Sequence, residues 1–212
     1  MSITFDPSTL LDVVLSGGNL TGTNNNTVNP MGCKGAAGDA KSTGKLYFEM
    51  TGLQSNNGTQ NCVAVAKQSW AYTDIVQNAG SGTGSAILFQ GSQGVVYANG
   101  SFTGDRIIPS GNIVATDIIA IAVDLVNQQF WAKDLTNGAP WLNNSLADPA
   151  SNAHGVGFSD NPVVPWFGWG GTVTGDNAMT INLRGPFTGA IPSGFTAWDT
   201  SAIPYNQARV IG

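Results

Sequence analysis

The residues able to do chemistry are few, and their spacing is poor for catalysis. Glu49 is the sole glutamate and His154 the sole histidine, and Cys33 and Cys62 are the two cysteines. Glycoside hydrolysis needs a pair of carboxylates about 5–9.5 Å apart across the scissile bond. No Glu-x-Asp-x-x-Glu strand exists here, so Glu49 is expected to be a strand-face residue with a hydrogen-bond partner. A serine triad needs a positioned histidine, and His154 stands between Ala153 and Gly155 in a region that reads as loop. Two cysteines and one histidine, without Cys-x-x-Cys spacing, do not make a zinc site. The two thiols are expected to be buried, and a disulfide requires strands that bring them together.

Asp134, Asp148, Asp160 and Asp176 sit near asparagines in turn-like stretches, and hard cations favour such oxygens. No EF-hand or nonapeptide pattern is present, and Asp and Asn in turns commonly bond their own backbone. No cofactor is expected, and a structural calcium ion is not predicted. Gly80, Gly82 and Gly84 do not open a helix and lack a Lys-Ser/Thr partner, so they form no phosphate cradle. The aromatic residues are the stronger binding signal. Trp70 and Tyr72 follow a strand end, and Trp166 precedes a glycine-rich turn. Such side chains stack on sugar rings or anchor protein interfaces, so these three are the candidate partner-binding residues.

The elements that must position them are strands. Charged residues are 10% of the 212, against roughly 25% in ordinary domains. Gly, Ser, Thr and Asn fill the polar positions, while helix-favouring Glu, Lys and Arg are scarce. The hydrophobic share of 42% excludes a disordered chain. Eight Lys and Arg, spread thinly in a chain of net charge −5, leave no basic stripe for nucleic acid or anionic lipid. No stretch is long and apolar enough for a membrane span, and the N-terminus does not read as a signal peptide.

Ile118 to Val123 is an unbroken apolar run fit for a strand buried on both faces. Asn127-Gln128 reads as a tight turn, with Gln129–Lys133 returning as the partner strand. Lys45–Thr51 alternates, with Leu46, Phe48 and Met50 on one face. Further strands are expected at Thr9–Leu15, Asn61–Lys67, Ala86–Gln90, Gly94–Ala98, Val163–Trp169 and Ala178–Arg184. Turns are expected at Ser16–Asn19, Ser55–Gly58, Asn99-Gly100 and Asn137-Gly138, with a hinge at Ser81–Ser85. Leu20–Pro30 and Met31–Ala40 read as polar or glycine-rich edge or loop, Asp105–Ser110 as an edge segment, and Leu142–Asn161 as a long loop. About ten short strands with Gly and Asn turns predict one antiparallel β-sandwich over residues 1–212, with its core at roughly 10–200 and a loop-like C-terminal tail.

The order of these pieces resembles the SPRY (B30.2) family. Gly44-Lys-Leu-Tyr-Phe-Glu49 is similar to that family's Gly-Lys-aromatic-Tyr-Phe-Glu strand. Asn61-Cys-Val-Ala-Val-Ala66 stands at its Val-Gly-Ile-Ala strand, without the glycine. Thr116-Asp-Ile-Ile-Ala-Ile-Ala-Val-Asp-Leu125 resembles its Gly-Asp-Val-Ile-Gly-Val-Ala-Leu-Asp-Leu strand, with Thr116 in place of the glycine. Trp131-Ala-Lys133, Asn137–Trp141, Asp148–Ser151, Arg184–Phe187 and Pro192–Trp198 resemble the SPRY-like proteins of bacterial viruses and prophages. The resemblance implies an all-β, antiparallel concanavalin-like (SPRY/jelly-roll) sandwich whose loops bind protein or glycan, with no shared catalytic site. It makes Trp131, Trp141 and Trp198 core or brace residues.

The function expected is therefore non-catalytic: a virion structural protein of a tailed bacteriophage, in capsid decoration or a tail or fibre appendage. Its partners would be other virion proteins, as a homo-oligomer or symmetric array on the particle. A module binding host cell-surface glycan is the alternative, and a glycoside hydrolase ranks last.

Overall fold

β-branched and aromatic residues, punctuated by Gly and Asn, form short strands throughout the chain. In order they are β1 (Val13–Ser16), β2 (Thr21–Asn24), β3 (Met31–Lys34), β4 (Lys45–Thr51), β5 (Cys62–Ala66), β6 (Ala86–Phe89) and β7 (Val95–Ala98). Then follow β8 (Ser101–Arg106), β9 (Ile119–Asp124), β10 (Gln129–Asp134), β11 (Val156–Gly157), β12 (Val164–Trp169), β13 (Ala178–Asn182) and β14 (Thr196–Ala197). The computed structural model describes residues 2–25, 30–53, 61–77, 84–89, 93–170 and 177–201. The expected turn at Ser55–Gly58, most of the hinge at Ser81–Ser85, Gly80 and Asp176 lie outside the described residues, as does the tail beyond Ser201.

The strands make two sheets. One has the order β1-β2-β13-β4-β9-β10-β11, with β14 running parallel to the start of β4; the other has the order β3-β12-β5-β6-β7-β8. Every other strand pairing is antiparallel. The facing sides of the two sheets share one core, in which Phe48, Met50, Ile121 and Ile181 meet Met31, Val63, Leu88 and Phe167. This is the antiparallel sandwich that the alternation predicts, in the concanavalin-like form that the resemblance implies. No helix among the described residues is long and apolar enough to cross a membrane.

Several expected elements shift. The strand foreseen at Thr9–Leu15 begins at Val13, after a short 3-10 turn at Pro7–Thr9 that Asp6 caps. Leu20–Pro30 contains β2, which is an interior strand between β1 and β13, and Met31–Ala40 opens with the edge strand β3. The edge segment placed at Asp105–Ser110 lies earlier, as β8. One device closes both ends of β10. Asp124-Leu-Val-Asn127 and Asp134-Leu-Thr-Asn137 carry the same Asp-Leu-x-Asn spacing. In the first turn Asp124 accepts the backbone N–H groups of Val126 and Asn127 at 2.9 and 3.0 Å and the Asn127 amide at 2.8 Å. In the second, Asp134 accepts the backbone and side-chain N–H groups of Asn137 at 3.0 and 2.7 Å. These are Asx turns whose acceptor is itself buried.

Both outer faces are apolar over their middle strands, and there each is covered. On the eight-stranded sheet Tyr47, Glu49 and Trp131 point outward, beneath the chain's last described segment. Phe187 packs edge-on to Tyr47 at 5.0 Å, and Phe195 edge-on to Trp131 at 6.3 Å. Asp199 fastens this segment. It accepts the Ile3 N–H at 3.1 Å, the Ser201 N–H at 2.8 Å and both Nε and Nη2 of Arg184. On the six-stranded sheet the chain leaves β5 and folds back as a strap through Lys67 to Val76, ending in one helical turn. Gly32 and Gly168 let the strap approach. A Cβ at Gly32 would lie 2.3 Å from the Tyr72 ring, and one at Gly168 would lie 2.4 Å from Val76.

Two outcomes follow for stability. Gly32→Ala overpacks the strap against β3 and costs about 1–3 kcal/mol. Denaturant unfolding measures the loss, and faster amide exchange at Tyr72–Val76 locates it. Burial alone would raise the Asp199 carboxyl, but hydrogen bonds from Arg184, Ser201 and Ile3 bring it down to about 2. Because the folded pKa lies below the unfolded one, this contribution is complete above about pH 4 and is lost as pH falls towards 2. Asp199→Asn is expected to lower stability at pH 7 by about 2 kcal/mol and to flatten the fall in stability between pH 4 and pH 2, read by thermal unfolding across pH.

Candidate functional site

The strand registers set one row of side chains across the outer face of the six-stranded sheet. Lys34, Trp166, Ala64, Ile87, Tyr97 and Phe102 stand opposite one another in turn, one from each strand. Alternation sends Phe167 and Trp169 to the inner core and Trp166 to this outer side. The three aromatics singled out from the sequence do come together here, around a lysine the sequence did not mark. Lys34 Nζ lies 4.2 Å from the Trp166 ring centre and 4.8 Å from that of Tyr72. It donates to the carbonyls of Gln68 and Trp70 at 2.9 and 2.8 Å. Burial lowers its pKa. Tyr72 packs edge-on to Trp166 at 5.3 Å and donates its hydroxyl to the Thr9 carbonyl.

This geometry corrects the surface role expected of two of them. Trp166 is fully buried and Tyr72 nearly so, because the strap lies over the strand that presents Trp166. Trp70 remains partly exposed, with its indole N–H donated to Asp160 at 2.6 Å. Asp160 is itself buried; it also accepts the Lys67 backbone N–H at 3.1 Å and faces Lys67 Nζ at 3.5 Å. The strap thus carries a cation–π clamp at one border and a carboxylate clamp at the other.

Beyond the strap the same row runs into the open. Tyr97 is partly buried, and Phe102 is 46% exposed on the border strand β8. Their rings lie 5.5 Å apart, and the Arg106 guanidinium sits 5.6 Å over Phe102. An Asn-Gly turn with φ of 50° and 80° at Asn99 and Gly100 builds this hairpin. The turn was legible in the sequence. Aromatic residues two positions before it and two after, Tyr97 and Phe102, are the signal that such a hairpin sets two rings opposite each other.

The buried carboxylates among the described residues are engaged internally. Glu49 is buried and accepts the Tyr47 hydroxyl at 2.7 Å and the N–H groups of Thr188 and Gly189 at 2.9 and 2.7 Å. Burial, with Glu49 alongside, pushes the Tyr47 hydroxyl far up. Burial, helped by the nearby Asp134 charge, raises Asp117 above the usual carboxylate range, but both residues are closed off from solvent. Asp148 bonds Ala150 and Ser151 in its own turn. His154 is exposed, at a turn φ of 50°. Cys33 and Cys62 are free thiols on opposite faces of their sheet, and burial pushes Cys62 up to about 12. Among the described residues, no three His, Cys, Asp or Glu side chains gather to hold a metal ion.

Two surface clefts are bounded by described residues on the eight-stranded side. One, of about 380 Å³, contains Ile3, Leu20, Asn182, Arg184 and Asp199, and its two charges pair with each other. The other, of about 210 Å³, is bounded by Glu49, Thr51, Ile118, Thr180 and Thr188, and its one carboxylate is Glu49, which accepts three internal hydrogen bonds. Neither cleft holds an acid and a base free to act on a bound molecule. The chemistry this surface offers is contact: an aromatic pair, with the Phe102 ring exposed, and a guanidinium beside it.

No protein-family model matches the chain, and no curated protein matches it. Among solved structures it is similar to the SPRY domain of human HERC1, at 13% identity and a TM-score of 0.59, over 84% of this chain and 96% of that one. It is likewise similar to the TRIM65 PSpry domain, at 15% identity and a TM-score of 0.56, over 85% of this chain and 92% of that one. The likeness is one of fold, and the architecture of this chain is SPRY-like.

Proposed function

We propose that this protein is a non-catalytic binding module that docks another protein on the open half of its six-stranded sheet, around Tyr97, Phe102 and Arg106. The observation that carries the reading is Phe102: a large aromatic ring left 46% exposed, packed at a tilt against a second ring and flanked by a cation. Aromatic and arginine side chains are the residue types that anchor protein interfaces. Trp70, partly exposed over the same outer cluster, is kept as a contact residue. The engaged state of the buried carboxylates supports static binding over hydrolysis. The SPRY-like fold supports a protein partner.

The setting we propose is the particle of a tailed bacteriophage, as a capsid decoration or a tail or fibre component. What supports it is the resemblance of Asn137–Trp141, Arg184–Phe187 and Pro192–Trp198 to phage-encoded SPRY-like proteins. A low-charge surface suits static packing in such an assembly.

Quantitative mass spectrometry of purified particles from the source is expected to find the protein at fixed stoichiometry to the major capsid protein. Hundreds of copies fit decoration, a dozen or fewer fit a tail role, and none overturns the particle setting. Phe102→Asp is expected to weaken attachment to the particle more than about tenfold, the scale of an aromatic hot spot, with no change in melting temperature. Attachment untouched by Phe102→Asp overturns the proposed face, and a glycan-array signal lost in the same variant replaces the protein partner by a sugar.

A further inference from the structure

A sheet edge is a row of unpaired N–H and C=O groups, and proteins guard such edges with charge, proline, bulges or covering chain. The edges of this sandwich differ in how they are guarded. β3 is bridged by the N-terminal segment, at Phe5 to Gly35 and Leu11 to Gly32. β8 slips register against β7 at Gly104, whose φ is 90°; Thr103 Oγ1 donates to the Val96 carbonyl there, and Asp105 and Arg106 follow. β11 is two residues long. β1 reads Val13-Val14-Leu15-Ser16, with no charge, proline or bulge, and its Val14 is 53% exposed.

Among the described residues, the hydrogen-bond register says which groups β1 leaves open. The Asn25 N–H donates to the Asp12 carbonyl at 3.1 Å, which makes the 12–25 pair a bonded one. Bonded and non-bonded pairs alternate along an antiparallel ladder. The pairs Val14–Thr23 and Ser16–Thr21 are therefore bonded, and Val13–Asn24 and Leu15–Gly22 are not. The N–H and C=O groups of Val13 and Leu15 thus point away from β2, along the sheet edge. Val13 is buried towards the inner face, and Val14 faces out.

We infer that β1 is the contact through which a second copy of this chain binds. A two-fold axis normal to the sheet through Val14 sets Val13 opposite Leu15 of the second copy, and Leu15 opposite Val13 of the second copy. Each of those pairs exchanges two backbone hydrogen bonds, so all four open donors and acceptors of Val13 and Leu15 are satisfied. The same axis makes Val14 a non-bonded pair with its own copy, the pair type in which side chains come closest, about 4.5 Å between Cα atoms. The contact is isologous, as closed dimers require, and the eight-stranded sheets of the two copies become one continuous sheet. The inference rests on backbone register and is independent of the function proposed for Phe102.

Val14 on the axis makes the test specific. In Val14→Lys two like charges meet at the closest pair, and in Val14→Glu two carboxylates do. Sedimentation equilibrium over a concentration series is expected to show a reversible dimer for the native chain and at least tenfold weaker association for each variant alone. An equal mixture of the two variants is expected to restore the dimer, because opposite charges then face each other. Because Val14 is exposed, both variants keep the native melting temperature. Amide exchange is expected to slow with concentration at Val13 and Leu15 and not at Val14. Monomer at every concentration of the native chain overturns the inference, as does a mixture that associates no better than its parts. Dissociation by Thr103→Lys, placed on β8, likewise overturns it by moving the contact to the other edge.

Discussion

Strands buried on both faces are the constraint on which the rest of this structure depends. β5, β9 and β12 are buried at every position, so neither sheet can end at an outward face in water. A two-layer sandwich with such strands needs two further layers of chain. The Lys67–Val76 strap supplies one, and the segment from Arg184 to Asp199 supplies the other. Covers made of loop carry backbone polar groups into contact with apolar sheet, and those groups need partners. That need explains where the scarce charges went. Lys34 and Asp160 take up carbonyls and N–H groups of the strap, while Glu49 and Asp199 take up those of the C-terminal cover. In a chain with only 10% charged residues, several of the few sit inside as fasteners.

The same allocation bears on function. A buried carboxylate that already accepts three hydrogen bonds, as Glu49 does, is committed to fastening the chain around it. Catalysis asks for the reverse, a titratable group whose partners leave it poised. Binding asks only for shape and desolvated contact area. The open end of the outer row provides that, because Phe102 stays exposed there.

How far the fold was legible follows from which signals are local. Alternation in Lys45–Thr51 and Ala178–Arg184, the apolar run at Ile118–Val123 and the Asn-Gly turn at Asn99 each act within a few residues, and each forms to within two residues of its expected bounds. β2 was not legible as an interior strand, because Thr-Gly-Thr-Asn is polar. Its place is fixed by Gly22, where a Cβ would meet the Trp169 ring at 2.9 Å and the Cys33 sulfur at 3.0 Å. Trp166 shows the limit for the site. Period two says that Trp166 and Phe167 face opposite ways, but not that a strap ninety residues earlier in the chain covers one of the two sides. Tyr72 and Trp166 therefore read as surface anchors until the long-range register is known. Lys34 was silent for the same reason, since a lone lysine after a glycine-rich strand has no local mark of a cation–π clamp.

The two borders that carry the proposed contacts lie at opposite ends of the fold's strand orders. β8 ends the six-stranded sheet on one side, and β1 ends the eight-stranded sheet on the side where the N-terminal segment joins β3. A partner seated on Tyr97 and Phe102 and a second copy paired through Val13 and Leu15 would not compete for the same residues. They also use different physics. The first contact relies on ring area and a cation, and the second on backbone hydrogen bonds in one register. Each contact alone is small, and small contacts hold when several act at once, since the first raises the effective concentration of the next. A chain that is weakly self-associating at one edge and weakly adhesive at the other is suited to a repetitive surface, where neighbours already stand at fixed spacing. In that setting the proposed binding face and the proposed dimer edge reinforce each other without any direct coupling between them.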